Sequence, residues 1–436
     1  MSKTNQLHEL DTLAASWEAT THEVTITEQR TKKRDELRLF SMSEITESII
    51  KIAPGHLRRV LKENPDLPQG YTKVPNGMRW FSFSEIQTLR QYFHNTGAKH
   101  KKYYPYRPNG TPPKVVTILN YSKHNGKTIT ATNLATAATI DGYKVLLMDL
   151  DPQCDLTNIF GIGNTDKWAT SYSILPKNFA HFLKHENIKR MSRGEPPIPM
   201  NPDVAESNKH DVHSSINKTK WMNLDIIPSS FESFSCDLRF AREVGNFPNW
   251  KYWKSIKDIF NDPQIDEDYD IIIIDTSSNA THIAISAAIA ADIILIPCKM
   301  TMNSISKTTK FLSLLNSTIE EINRVEYTEA TAIGESYQDI RWDSINFCPL
   351  SNTFEHVNNN RWEREFRIKF NDFTYNTSQF YSPLLDQLHG GIANVYEIDY
   401  RNVDRREYQR TRQNFDVLYD EFKKTLERAW SNNIPT

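Results

Sequence analysis

VVTILNYSKHNGKTITATNLATAATIDGYKVLLMDLDPQCDLTNIF, running from Val115 to Phe160, decides the fold. It reads as strand, loop, helix, turn, strand, loop. Val115, Val116, Ile118 and Leu119 form the short apolar run of a buried parallel strand. Gly126-Lys127-Thr128 opens a helix carrying Leu134, Ala135, Ala137 and Ala138, Gly142 ends it, and Val145 to Met148 form the next strand. A Gly-Lys-Thr loop between a strand and a helix suits an anion. Backbone N–H groups and the helix N-terminus face it, Lys127 adds a point charge, and the Thr128 hydroxyl is a ligand for Mg²⁺.

Outward from that loop lie two more strand ends that carry acids. Asp149-Leu150-Asp151-Pro152-Gln153 follows the second strand directly. Further on, Asp270-Ile271-Ile272-Ile273-Ile274-Asp275-Thr276 delivers Asp275 to the C-terminal edge of a buried strand, where α/β proteins bind ligands. A strict Walker A would have glycine at Tyr121. With its tail of Gly-Lys-Thr, its D-x-D-P-Q and its acid-terminated strand in this order, the chain instead resembles the ParA/MinD group of P-loop ATPases. That group's loop reads K-G-G-x-G-K-[ST]. Aligned on Lys127, its signature lysine falls on Ser122 and its two glycines on Lys123 and His124. Where the group continues D-T-P-P, this chain has Asp275-Thr276-Ser277-Ser278.

The resemblance implies a doubly wound, mostly parallel α/β sheet of the P-loop NTPase type and the cofactors ATP and Mg²⁺. It implies a nucleotide cradle of Ser122, Lys123, His124, Asn125, Gly126, Lys127, Thr128 and Ile129, and metal contacts from Thr128, Asp275 and Asp151. Asp151 would position the attacking water and Lys127 would hold the phosphates. The signature lysine reaches a partner subunit's nucleotide in these relatives; here Lys123 is the candidate substitute for it.

Composition bounds the rest. At 436 residues the chain has room for two or three domains. Its net charge of −2 rules out a global nucleic-acid footprint, so DNA contacts must come from local basic patches. Cys154, Cys236, Cys298 and Cys348 lie far apart with no CxxC, which argues against a zinc site or disulfide framework and fits a reducing compartment. No apolar run approaches membrane-spanning length. The expectation is a cytoplasmic, nucleoid-associated protein.

In order, residues 1–38 give one helical stripe of Leu7, Leu10, Leu13, Ala14 and Trp17, either self-associating or resting on the protein's own body. Residues 39–96 read as a capping box at Ser41 and Glu44, a short helix, a second helix from Pro54, a hairpin around Pro75-Asn76-Gly77, and a closing helix from Ser84. This order resembles the MerR-like winged-helix module at the N-terminus of the longer, RepA-like ParA proteins. The resemblance makes His56, Arg58, Arg59 and Lys62 on the second helix, and Arg79 on the wing, candidate DNA contacts; a plain solvated face is the competing account. Residues 97–113, basic and rich in Tyr and Pro, form a linker. Residues 114–436 form the ATPase domain.

Within that domain, Trp168 to Leu183 predicts a helix, and residues 184–222, with Pro196, Pro197, Pro199 and Pro202, predict a long surface excursion. Ile305 to Leu315 predicts an amphipathic helix. Phe415, Leu418, Phe422, Leu426 and Trp430 predict a C-terminal helix docked on the sheet. Arg361, Arg364, Arg367 and Lys369, and Arg401, Arg405, Arg406, Arg410 and Arg412, are basic sets open to a DNA or a solvent reading. By resemblance the whole is a partition ATPase that dimerises on ATP, binds DNA, answers to a centromere-binding ParB-like partner and represses its own operon. Two alternatives stand beside it: a DNA-binding repressor that holds nucleotide with little turnover, and an unrelated P-loop kinase or ligase.

Overall fold

The computed structural model describes residues 37–72, 74, 77–96, 103–105, 107–163, 166–351, 361–386 and 394–432. The helix expected over residues 1–38 therefore lies outside the described residues, apart from Leu37 and Arg38.

The N-terminal unit begins with strand β1 (Phe40–Ser41). Ser41 and Glu44 form the expected box: Ser41 Oγ accepts from the Glu44 amide at 3.3 Å, and Glu44 Oε2 accepts from the Ser41 amide at 3.0 Å. After a π-helical turn over Ile45–Ile49 comes helix α1 (Pro54–Glu63), with proline in its first turn. Strands β2 (Tyr71–Thr72) and β3 (Arg79–Phe81) form the hairpin, and β1 joins them in an antiparallel sheet of order β1-β3-β2. Helix α2 (Phe83–Thr96) closes the unit behind a second box, Ser82 with Glu85, that the sequence pattern alone did not suggest.

The main sheet contains β4 (Lys114–Ile118), β5 (Val145–Asp149), β6 (Asn217–Lys218), β7 (Leu224–Ile227), β8 (Ile271–Asp275), β9 (Ile293–Lys299), β10 (Ser344–Ser351) and β11 (Gln379–Phe380). Their order is β11-β10-β9-β4-β8-β5-β7-β6, parallel throughout except for β6 against β7. Alternation along each buried strand divides the core in two. Val145, Leu147, Ile271 and Ile273 face one side with helix α3 (Lys127–Asp141). Leu146, Met148, Ile272 and Ile274 face the other. There they meet α4 (Lys177–Ser192), α5 (Ser233–Asn246), α6 (His282–Ala290) and α7 (Met302–Ala332). Helix α8 (Arg361–Phe370) adds Phe366 on that side, and α9 (Arg405–Ser431) covers α3 with the predicted stripe from Phe415 to Trp430, all five residues buried. This is a P-loop NTPase fold.

Several expectations change. Trp168 to Leu183 is not one helix: a 3-10 turn (Lys167–Ala169) and a short helix (Ser171–Ile174) precede α4, because Pro176 cannot continue the ladder. Residues 184–222 are ordered structure, not an excursion. They complete α4, add a helix (Pro202–Ser207) and contribute β6, with Val204 and Trp221 fully buried. Helix α7 runs 31 residues, far past Leu315. Arg412 pairs with Asp416 at 3.0 Å over the Tyr396 ring, Arg401 pairs with Asp399 over Trp80, and Arg367 bonds Glu363. Arg412 and Arg367 thus tie buried elements together, while Arg401 pairs at the surface.

The N-terminal unit and one face of the sheet share a continuous core. Phe40 and Phe83 lie edge-on to Trp221 at 6.2 and 5.1 Å between centroids, and the Trp221 indole donates to Glu397 at 2.8 Å. Arg90, buried on α2, donates to the Ile140 and Asp141 carbonyls that end α3, and to Tyr103 and Ile49. Gly142 follows with φ +116; a Cβ there would meet Pro105 at 3.1 Å and Arg90 Nη1 at 3.2 Å.

Candidate active site

Three adjacent strands, β8 between β4 and β5, end at one edge and set the site. From β4 the chain turns through residues 121–126 into α3. His124 (φ 59) and Gly126 (φ 74) take left-handed conformations, and Gly126 caps α3 without any side-chain acceptor, leaving the first-turn N–H groups for a ligand. Below the loop, Asn120 Nδ2 donates to the Pro297 carbonyl at 2.7 Å, and the Ser122 amide donates to Asn120 Oδ1 at 2.9 Å. Asn125 Oδ1 accepts from the Lys299 amide at 3.2 Å and from Ser304 Oγ at 2.9 Å. The loop is thus fastened to β9 and α7.

The expected cradle residues divide by exposure. Lys123 and His124 are exposed; Gly126, Thr128 and Ile129 are half-buried; Ser122, Asn125 and Lys127 are buried. Lys127 Nζ donates to Ser278 Oγ at 2.6 Å. Burial pushes the Lys127 pKa down, while Asp275 and Asp151 work against that.

Asp275 ends β8 fully buried, and neither carboxylate oxygen has a hydrogen-bonding partner of ordinary geometry among the described residues. Burial, then the neighbouring Asp149, pushes its carboxyl up to about 8, although Thr128 and Lys127 act to lower it. Two orphaned oxygens beside the Thr128 hydroxyl are the donor set a hard divalent cation takes, so the residues present fit Mg²⁺. Asp149 is spoken for: it accepts from Thr157 Oγ1 at 2.7 Å, the Thr157 amide at 3.0 Å and the Asp151 amide at 2.9 Å. Burial still pushes it up to about 7. Its bond to the Asp151 amide fixes the start of the loop that carries Asp151, which is half-buried.

Several residues here carry no signal in the sequence. Asp237 on α5 lies near Asp151, with burial pushing it up to about 6. Beside the loop a cleft of about 550 Å³ is lined by Lys123, His124, Ser278, Lys299 and Lys307, with Asn125 in its wall. Lys299 and Lys307 belong to no motif, and only the neighbouring placement of β4 and β9 brings them in.

The proposed DNA contacts sit elsewhere, on the N-terminal unit. Arg58, Arg59 and Lys62 are exposed on α1. His56 is half-buried, bonded to Arg59 at 3.2 Å with its ring against Phe93, and Arg79 on β3 is half-buried.

The fold is that of the P-loop NTPase class, and the loop before α3 lies where that class binds nucleotide. Residues 113–326 match the AAA_31 family, described as an AAA domain. A putative replication protein A of Rhizobium rhizogenes is 22% identical over 403 residues, covering 90% of this chain and 88% of that one. The chromosome partitioning protein ParA of Caulobacter vibrioides is 24% identical over 215 residues, 49% of this chain and 67% of that one. A solved structure described as a partition protein shares the fold, with a TM-score of 0.57 at 15% identity over 98% of this chain and 99% of that one. In its matched segment and in its fold the chain is similar to the ParA-type P-loop ATPases.

Proposed function

We propose that this protein is a partition ATPase that uses Mg²⁺-ATP to govern its attachment to DNA. The observation that carries the reading is the meeting of Lys127, Asp151 and Asp275 at one sheet edge, with both Asp275 oxygens unpaired among the described residues. In this reading Lys127 and the first-turn N–H groups of α3 hold the phosphates, and Thr128 and Asp275 hold Mg²⁺, which screens the phosphate charge when bound. Asp151, fixed through its amide by Asp149, orients the attacking water. The N-terminal unit acts as a winged helix, with Arg58, Arg59 and Lys62 on the DNA backbone or groove and Arg79 on the wing. An ATP dimer, a ParB-like partner, autorepression and a place on the nucleoid complete the reading. Among the described residues no helix is long and apolar enough to cross a membrane.

A second reading, a nucleotide-gated repressor with little turnover, is favoured by one observation: Ser122 is buried and bonded inward to Asn120 and Ser304. The deciding experiment is ATP turnover of wild type and Lys127→Ala, with and without duplex DNA and a cognate partner. Turnover that rises with both and vanishes in the variant supports the partition motor. Tight ATP binding with no stimulated turnover would replace it with the repressor.

A further inference from the structure

The position that carries a lysine in related loops is closed in this chain. Ser122 is buried, its amide donates to Asn120 Oδ1 and its hydroxyl lies 3.4 Å from Ser304 Oγ. Lys123, next to it, is exposed at the outer turn of the loop. The cleft beside the loop nevertheless collects positive charge from Lys123, Lys299 and Lys307, with His124 also in its lining. Of these, Lys299 is the best fixed. It ends β9, which pairs directly with β4, and its amide donates to Asn125 Oδ1 within the loop itself. Its side chain is half-buried, and no carboxylate pairs with it among the described residues. Lys307 stands exposed on α7.

Two further facts point to an anion. Asn125 is 1% exposed, and its Nδ2 donor, in the cleft wall, has no acceptor among the described residues. Ser278 lines the same cleft and accepts from Lys127, so the cleft opens onto the phosphate-binding lysine. A held cation, an unsatisfied buried amide and a second cation across a shared serine suit a multiply charged phosphate chain.

We propose that Lys299 is the second cation of the nucleotide site, contacting the terminal phosphate of ATP bound to its own chain from the cleft side. This rests on the reading of the site as an ATP site. A contact to the terminal phosphate separates ATP from ADP, which offers a readout other than turnover.

The test is calorimetric titration of the full chain with ATP and with ADP, both with Mg²⁺, in wild type, Lys299→Ala, Lys299→Arg, Lys123→Ala and Lys310→Ala. Lys310 is exposed on α7 and is not among the cleft-lining residues, so it serves as the control. Lys299→Ala is expected to weaken ATP about tenfold or more while leaving ADP within about twofold, and Lys299→Arg to recover most of the loss. Lys310→Ala should match wild type. Equal weakening of both nucleotides, or no weakening, overturns the proposal, as does loss of the ATP preference in Lys123→Ala alone. Wild type that is folded yet binds neither nucleotide overturns the ATP-site reading itself.

Discussion

Asp149 and Asp275 stand opposite each other in the register of two parallel strands, each the last residue of its strand and each fully buried. Three donors satisfy Asp149, and among the described residues none satisfies Asp275. The pair is a carboxyl platform that one proton or one divalent cation completes.

A pH dependence follows. Both carboxyls titrate higher in the folded protein, at about 7 and about 8, than the ordinary carboxylate range of the unfolded chain. Their contribution to stability is therefore present in full below that range and is lost as the pH rises through the folded values. Without metal and nucleotide, the Tm of the wild type should fall as the pH climbs through about 7 and about 8. Asp275→Asn, which does not titrate there, should flatten the decline and lose Mg²⁺-dependent nucleotide binding. Superimposable Tm-versus-pH curves for the two proteins would count against this account.

Trp221 lies in the stretch that reads as surface excursion, yet it joins the N-terminal unit to the sheet. Trp221→Ala should cost about 3–5 kcal/mol in urea unfolding, the range for a large aromatic removed from a core. A loss below about 1 kcal/mol would place Trp221 outside the shared core.

Arg90→Lys should destabilise nearly as much as Arg90→Ala, by about 3 kcal/mol or more. An ammonium cannot serve carbonyls on both α3 and the segment before β4, and the acceptors left over stay buried. Hydrogen exchange along residues 83–96 reads the effect directly. Protection in Arg90→Lys equal to wild type would show that charge alone suffices.

Replacing Arg58 and Arg59 together by alanine should weaken DNA binding and lower the log–log salt slope by about 0.9 for each phosphate that is no longer neutralised. ATP turnover without DNA should stay the same, because both side chains are exposed on α1, away from the loop. An unchanged salt slope would assign α1 to solvent.

Much of the sheet was legible because parallel strands buried on both faces read as continuous apolar runs, as in Ile271–Ile274. Lys127, Asp151 and Asp275 were legible because each sits at a fixed step from such a run. Lys299 and Ser278 were not, since their relation to the loop depends on strand order and not on spacing: Asn125 and Lys299 meet only because β9 lies beside β4. Residues 184–222 misled for another reason. Their few apolar side chains, such as Val204, Val212 and Trp221, are spread among polar and proline positions, so no period marks them, yet these three are buried. The arginines of the C-terminal half were ambiguous because a cation in a linear sequence does not disclose its partner: Asp416 holds Arg412 inward, while Asp399 pairs with Arg401 at the surface.

The continuous core beneath Trp221 also limits how such proteins can be reassembled. A recombination joint placed between a DNA-binding unit and an ATPase would leave Trp221 and the carbonyl end of α3 facing water, and a foreign unit would have to bring counterparts of Phe40, Phe83 and Arg90 to cover them.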